Sequence, residues 1–307
     1  MNVIETTGLG KRYGKEWALR DCTLAIPEGH LAALVGPNGS GKSTLMSMAV
    51  GLSVPTEGSA AVLSGQPVGS RAALNGIAFV AQDSPVYKNL SVGDMLHLTR
   101  NLNRRFDDAA ARARIADLGI PLKKKAGKLS GGQQSQVALT LALARRPRLL
   151  ILDEPLSALD PLARQDFMTT VMTAMTDDGV SVLLSSHALA ELERVADYLV
   201  VLSRGKLAVA GATDDLLARH RVLTGPVEAA DGYAERLSVL QDKRAGAQAH
   251  LLVAASGPAD PVEPGWEAHP VSLEELVLAY LRAPGGAAVA APGPALVSHI
   301  QPTEAAR

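Results

Sequence analysis

Leu31-Ala32-Ala33-Leu34-Val35 runs directly into Gly36-Pro37-Asn38-Gly39-Ser40-Gly41-Lys42-Ser43-Thr44, and Lys42 to Val50 reads as a helix. The five leading residues form a continuous apolar run, the pattern of a strand buried on both faces of a mostly parallel sheet. The next nine satisfy G-x-x-x-x-G-K-[ST] between a strand and a helix. The glycines permit backbone angles at which successive N–H groups point inward, and the positive end of the following helix adds to that anion site. Lys42 is then placed to reach β and γ phosphates, and the Ser43 hydroxyl to ligate Mg²⁺. The unit predicts a nucleoside triphosphate site without naming the enzyme.

Outward from this loop, strands and helices alternate. Cys22, Leu24 and Ile26 alternate with polar or small neighbours in a half-buried strand ended by Pro27-Glu28-Gly29. Buried runs follow at Ile77 to Val80, Leu149 to Leu152, Val180 to Leu184 and Leu199 to Leu202, with helical stretches at Val92 to Leu102, Asp107 to Leu118, Gln133 to Arg145, Leu162 to Met175 and Ala188 to Val195. Such alternation implies an α/β fold with ligands at the carboxyl ends of the strands. Residues 85–136 hold helices and no convincing strand, and read as a helical insertion.

Composition narrows the class. The 307 residues are 47% apolar, enough for a large core. A formal net charge of −1 argues against an electrostatic footprint for DNA or RNA. Cys22 is the only cysteine, so no intrachain disulfide forms, which fits a reducing cytosol. The start, Met1-Asn2-Val3-Ile4-Glu5, lacks the features of a secretion signal. The best candidate span, Val137 to Leu152, is broken by Arg145-Arg146-Pro147-Arg148, short of the ~18 apolar residues that cross a bilayer. The chain is expected not to cross a membrane alone.

Two further motifs carry chemistry. Leu149-Leu150-Ile151-Leu152-Asp153-Glu154 is an apolar strand that delivers two carboxylates, and neighbouring residues on a strand point to different sides. Downstream of a phosphate loop, Asp153 is assigned to the metal and Glu154 to general-base or water-orienting work. In Leu129-Ser130-Gly131-Gly132-Gln133, Ser130 and Gln133 have capping-box spacing ahead of the helix-favouring Val137 to Ala144. This is a second helix start suited to phosphate, or an ordinary capped helix after the Lys-rich Lys123 to Lys128.

In that order on one chain, the three motifs resemble those of ATP-binding-cassette (ABC) ATPases, the motors of ABC transporters. The resemblance covers about residues 1–220 and implies a P-loop NTPase (RecA-like) core with an antiparallel β subdomain and a helical signature subdomain. It implies that Ser130, Gly131, Gly132 and Gln133 contact the ATP of a partner cassette, and that Asp160, in Ser157-Ala158-Leu159-Asp160, lies in a loop crossing the dimer interface. Gln82 is similar to the glutamine that reaches Mg²⁺ and senses the γ-phosphate. His187, after Val182-Leu183-Leu184-Ser185-Ser186, is similar to the histidine that binds the γ-phosphate and attacking water. Tyr13, in Lys11-Arg12-Tyr13-Gly14, matches the aromatic that stacks on adenine, with Trp17 as a competitor.

The family implies a working Mg²⁺-dependent ATPase in which two chains, identical or paralogous, close head to tail over two ATP molecules. It also implies a separate transmembrane permease and a peripheral place at the inner face of the cell membrane. Residues 83–100 are where family members receive the permease's coupling helix, with Val86, Tyr87, Leu90 and Val92 as candidate contacts. The segments Asn103-Arg104-Arg105-Phe106-Asp107, Lys124-Lys125 and Ser185 to Glu193 look like the exporter-type cassettes of bacterial ABC-2 systems. Importer cassettes share every core motif, and a soluble ABC ATPase acting on ribosomes or nucleic acid is a third reading. A nonhydrolysing, ATP-dependent interaction module is a fourth.

Residues 221–283 are expected to form a small accessory α+β unit: Arg221-Val222-Leu223 and Leu251 to Ala255 read as strands, and Ser272-Leu273-Glu274-Glu275 opens a capped helix. His220, His250 and His269 lack metal-site spacing and are expected at the surface. Residues 284–307, rich in Gly, Ala and Pro, read as a disordered tail.

Overall fold

The computed structural model describes residues 1–82, 86–157, 159–186, 189–254 and 262–282, together with the backbone of 289–290. The chain opens with two long strands, β1 (Asn2–Tyr13) and β2 (Glu16–Pro27), paired antiparallel around a tight turn. Inward residues such as Ile4, Leu9, Leu19, Cys22, Leu24 and Ile26 are buried. Strand β3 (Leu31–Val35), buried at every position, leads through the phosphate loop into helix α1 (Lys42–Ala49). Strands β4 (Glu57–Val62) and β5 (Gln66–Pro67) then return to β1, giving an antiparallel sheet in the order β2-β1-β4-β5.

After α2 (Arg71–Gly76), the chain enters β6 (Ile77–Val80) and leaves the sheet for the helical insertion. Helix α3 (Val92–Leu102) starts with a reciprocal capping box: Ser91 Oγ accepts from the Asp94 N–H while Asp94 accepts from the Ser91 N–H. Helix α4 (Asp108–Asp117) is capped by Asp107. Among the described residues of the insertion there is no strand, only one isolated bridge between Ser91 and Lys125. The insertion closes with α5 (Gly131–Leu143).

The main sheet resumes with β7 (Leu149–Asp153), α6 (Pro161–Asp178), β8 (Ser181–Ser185), α7 (Leu189–Leu192), β9 (Tyr198–Ser203) and β10 (Lys206–Ala212). Strands β9, β3, β8, β7 and β6 lie side by side and parallel, with β10 antiparallel on β9. Helices α5 and α6 fill one face, where Val137, Leu139, Phe167 and Val171 are buried with Leu150 and Leu152. Helix α1 and the antiparallel sheet cover the other, against Leu34, Ile151 and Leu183. A sheet covered on both faces explains why its strands read as unbroken apolar runs.

Beyond α8 (Thr213–Ala218), strands β11 (His220–Pro226), β12 (Ser238–Ala245), β13 (Gln248–Ala254) and β14 (Glu267–Pro270) form a third, antiparallel sheet in the order β12-β13-β11-β14, with the short helix α9 (Ala230–Ala234) beside it. Its own core gathers Leu223, Leu251 and Val253 around Tyr233 and Trp266, whose rings meet edge-to-face with centroids 4.8 Å apart. Helix α10 (Leu273–Arg282) has the Ser272–Glu275 capping box, but its apolar face, Leu273, Leu276, Val277 and Tyr280, joins the main core beside β9. Val289–Ala290 form a short strand, β15, parallel to β10. The remainder of 284–307 lies outside the described residues.

One histidine departs from expectation. His220 is 4% exposed: its Nδ1 lies 2.6 Å from the Leu216 carbonyl and its Nε2 3.0 Å from the Tyr280 hydroxyl. Helix α10 brings Tyr280 onto the start of β11 and removes His220 from water. His250 is half-buried, its Nδ1 3.1 Å from Thr224 Oγ1, and only His269 is exposed.

Candidate functional site

The strand order fixes the site. Strands β3, β8, β7 and β6 are consecutive neighbours, so the segments leaving their carboxyl ends emerge in a row: Gly36, Ser185, Asp153-Glu154 and Gln82. Register makes this concrete, since Ser185 pairs with Leu34 on one side and Asp153 on the other. Ligand sites in open α/β sheets gather at such edges.

A cavity of about 660 Å³ opens there, lined by Ala18, residues 36–44, Gln82 and Glu154. Two glycines are required by geometry. A Cβ on Gly36 would sit 2.4 Å from both the Leu202 carbonyl oxygen and Ser40 Oγ. Gly41, at φ 103°, caps α1 in a conformation side chains rarely adopt, and a Cβ there would meet the Ala18 carbonyl at 2.6 Å. Lys42 is 7% exposed; its Nζ donates to the Gly36 carbonyl at 2.7 Å and lies 3.8 Å from Glu154 Oε1. Ser40 Oγ is buried with no hydrogen-bond partner. A buried orphan hydroxyl, an ammonium and a concave glycine backbone fit a phosphate chain, which supplies the missing acceptors.

The carboxylates are held by a residue the sequence reading left without a role. Ser185 Oγ donates to Asp153 Oδ1 at 2.7 Å and accepts from the Glu154 N–H at 2.8 Å. Glu154 adopts φ 49°, a left-handed conformation costly for a non-glycine residue and frequent at functional sites. Asp153, Ser185 and Glu154 are all buried. The only signal that could have singled out Ser185 was a polar residue ending an otherwise apolar strand. The hard oxygens of Ser43, Gln82 and Asp153 suit Mg²⁺, which keeps several ligands from water and phosphate. No cluster of three or more His, Cys, Asp or Glu able to hold a metal occurs among the described residues.

The other expected residues lie elsewhere. Ser130 caps α5, accepting from the Gln133 N–H at 3.1 Å while Gln133 Oε1 accepts from the Ser130 N–H at 3.3 Å. Ser130 and Gly131 are exposed, Gly132 and Gln133 half-buried, and none lines the phosphate-loop cavity. Asp160 caps α6 through the Ala163 N–H, and Pro161 takes the first helical position. Tyr13 is exposed at the end of β1, with Lys11 Nζ 5.2 Å from its ring centre. The Arg12 and Arg20 guanidinium groups lie 5.5 and 5.6 Å from the Trp17 ring, so that ring is already engaged by two cations. His187 lies outside the described residues.

A second cavity, about 410 Å³, lies between β6 and the helical insertion, bordered by Phe79, Val86, Tyr87, Leu98, Leu102 and Arg145 among others. Of the four candidate contact residues, Val86 and Tyr87 border it. Val92 is fully buried at the start of α3, and Leu90, in the turn before it, packs against the core.

Together these features define a P-loop nucleotide-binding cassette with a helical insertion between its phosphate loop and its acidic strand. The chain belongs to the family of ABC transporter ATP-binding proteins: the ABC transporter family model matches residues 19–157. It is 34% identical over 206 residues to the lantibiotic transport ATP-binding protein SrtF of Streptococcus pyogenes, covering 67% of this chain and 89% of that one. It is 35% identical over 229 residues to the Fe(3+) ions import ATP-binding protein FbpC of Mesorhizobium japonicum, covering 72% of this chain. The chain spans 63% of that relative's length. A solved ATP-binding subunit of an ABC transporter superposes with a TM-score of 0.63 at 28% identity, over 70% of this chain and 91% of that one. No described helix is long and apolar enough to cross a membrane.

Proposed function

We propose that the chain is the ATP-hydrolysing subunit of an ABC transporter, residues 1–220 forming the motor and 221–283 an accessory unit. One observation carries the reading: the cavity holds Lys42, Gln82 and Glu154, whereas Ser130 to Gln133 present a second capped helix start, suited to phosphate, outside it. Two chains arranged head to tail satisfy both, each supplying Ser130 and Gly132 to the ATP of the other. Asp160 stands at the same interface, and Tyr13, whose ring is exposed, stacks on adenine.

In this reading the phosphates displace Lys42 from the Gly36 carbonyl, and its ammonium moves to the γ-phosphoryl oxygens. Glu154 orients the attacking water and takes its proton as the new P–O bond forms and the bond to the β-phosphate oxygen breaks. Ser43, Gln82 and Asp153 would hold Mg²⁺, which when bound would supply neutralisation of phosphate charge. His187 assists at the γ-phosphate. The apolar groove beside Gln82 receives a segment of a separate membrane permease, which places the chain at the inner membrane face and lets Gln82 link the permease to the nucleotide.

For the direction of transport, the iron relative's name says import and the lantibiotic relative's says transport. These names support import better than the export reading, which rests on the segments Asn103 to Asp107, Lys124-Lys125 and Ser185 to Glu193. Glu154→Gln tests the motor: the variant retains ATP, loses phosphate release and runs as a stable dimer on gel filtration with ATP. A monomer under those conditions overturns the composite site. ATP-driven uptake or extrusion by the co-purified complex in vesicles decides direction.

A further inference from the structure

The near-neutral charge of the chain conceals a segregation. Residues 86–146 hold twelve Lys and Arg against four Asp and no Glu, although the whole chain is net −1. Two of the four Asp and three of the arginines are engaged locally. Arg146 pairs with Asp107 and Arg112 with Asp108, while Arg114 is turned inward to Gln136 and Thr140. Arg104 and Arg105, in the turn between α3 and α4, remain exposed with no ion pair among the described residues. The two carboxylates nearest them in the shallow cavity they border, Asp107 and Asp108, are those already engaged by Arg146 and Arg112.

Two residues before Arg104 stands Leu102, 75% exposed, and across the apolar groove Tyr87, 68% exposed. Tyr87 faces the permease seat, whereas two uncompensated cations beside a protruding aliphatic on the outer rim match the interfacial layer of an anionic bilayer, where Leu enters the acyl boundary and Arg meets phosphate. Nucleic acid would engage the arginines but gains nothing from an exposed leucine.

We propose that the rim formed by Arg104, Arg105 and Leu102 docks on the anionic phospholipid headgroups around the permease. The site rests on the reading of the adjoining groove as the permease seat, since that seat brings the rim to the membrane plane. The contact adds an attachment that does not pass through the permease and orients the helical insertion against the bilayer.

The test is flotation of the full chain, without permease or nucleotide, on vesicles of phosphatidylcholine with and without phosphatidylglycerol. Binding is expected only to the anionic vesicles, and to weaken as salt shortens the Debye length from about 10 Å at 0.1 M. With each basic residue near such a surface contributing about fivefold, Arg104→Ala/Arg105→Ala should lower partition about 25-fold. ATPase activity and melting temperature should stay unchanged, because neither residue borders the nucleotide cavity. Leu102→Ser should lower vesicle binding severalfold and leave binding to a single-stranded RNA oligonucleotide unaltered. Equal binding to neutral vesicles, an unaffected double variant, or RNA binding as tight as vesicle binding and indifferent to Leu102 would each overturn the proposal. The motor reading is scored separately by phosphate release in detergent solution, so either can fail while the other stands.

Discussion

Ser185 ends strand β8 with its hydroxyl donating to Asp153 at 2.7 Å, and that hydroxyl also receives the N–H of Glu154. One buried oxygen thus holds the carboxylate assigned to the metal and the backbone of the residue assigned to the water. Ser185→Ala removes a hydrogen bond to a charged group, about 1.5–3 kcal/mol, and frees the strained turn at Glu154. kcat for ATP hydrolysis should fall about 10- to 100-fold while ATP affinity changes little, as checked by steady-state phosphate release beside equilibrium binding of a fluorescent nucleotide. Equal losses in binding and turnover would place Ser185 in folding instead of positioning.

The phosphate loop tolerates no side chain at its first glycine. In Gly36→Ala the added methyl would meet the Leu202 carbonyl oxygen and the Ser40 hydroxyl at 2.4 Å, so β9 or the loop must move. A fall in melting temperature of several degrees, together with loss of ATP binding, is expected by calorimetry and nucleotide titration. By contrast, Gly39→Ala meets no atom within 4 Å and is limited to the backbone cost of φ 78°.

His220 makes stability depend on acid. Burial, reinforced by the nearby Arg219 charge, lowers its pKa below 6.5 despite the opposing hydrogen bond to Leu216. The unfolded chain therefore binds the proton more readily. The His220 contribution is complete above pH 6.5 and is lost as pH falls through the lowered folded value. Melting temperatures measured from pH 7.5 to about pH 5 should decline, and His220→Phe should flatten the part of that slope due to this residue.

Cys22 should be silent in the native protein. It is fully buried in β2, and burial, outweighing the opposing Thr6 hydrogen bond, pushes its thiol up to about 11. At pH 8 a thiol reagent should leave the folded chain unmodified and label it stoichiometrically in denaturant. Fast native labelling would show that the β1–β2 hairpin opens locally.

The phosphate loop, the acidic strand end and two of the three capping boxes, at Ser130 and Ser272, were legible residue by residue, because each is a local solution to a local need. Glycine backbone angles, an orphan helix N–H and a strand buried on two faces all impose their residue types within a few positions. Helices α3, α4 and α5 were recognisable in the same way. Strands β1 and β4 were harder to place. Their pattern is interrupted by register shifts and by exposed positions, and their pairing joins residues more than 50 apart, Ile4 with Val62 and Glu5 with Ala61.

Long-range packing decided what the pattern left open. Ser185 acquires its role because β8 lies between β3 and β7, an order written in no single segment. His220 looked like a surface residue until α10 delivered Tyr280 from 60 residues away, and the same helix inserts its apolar face into the main core. Local sequence sets which backbone conformation each segment can adopt and which donors it must satisfy. Which side chain loses its water, and which carboxylate finds a hydroxyl, depends on neighbours that only the folded chain brings within 3 Å.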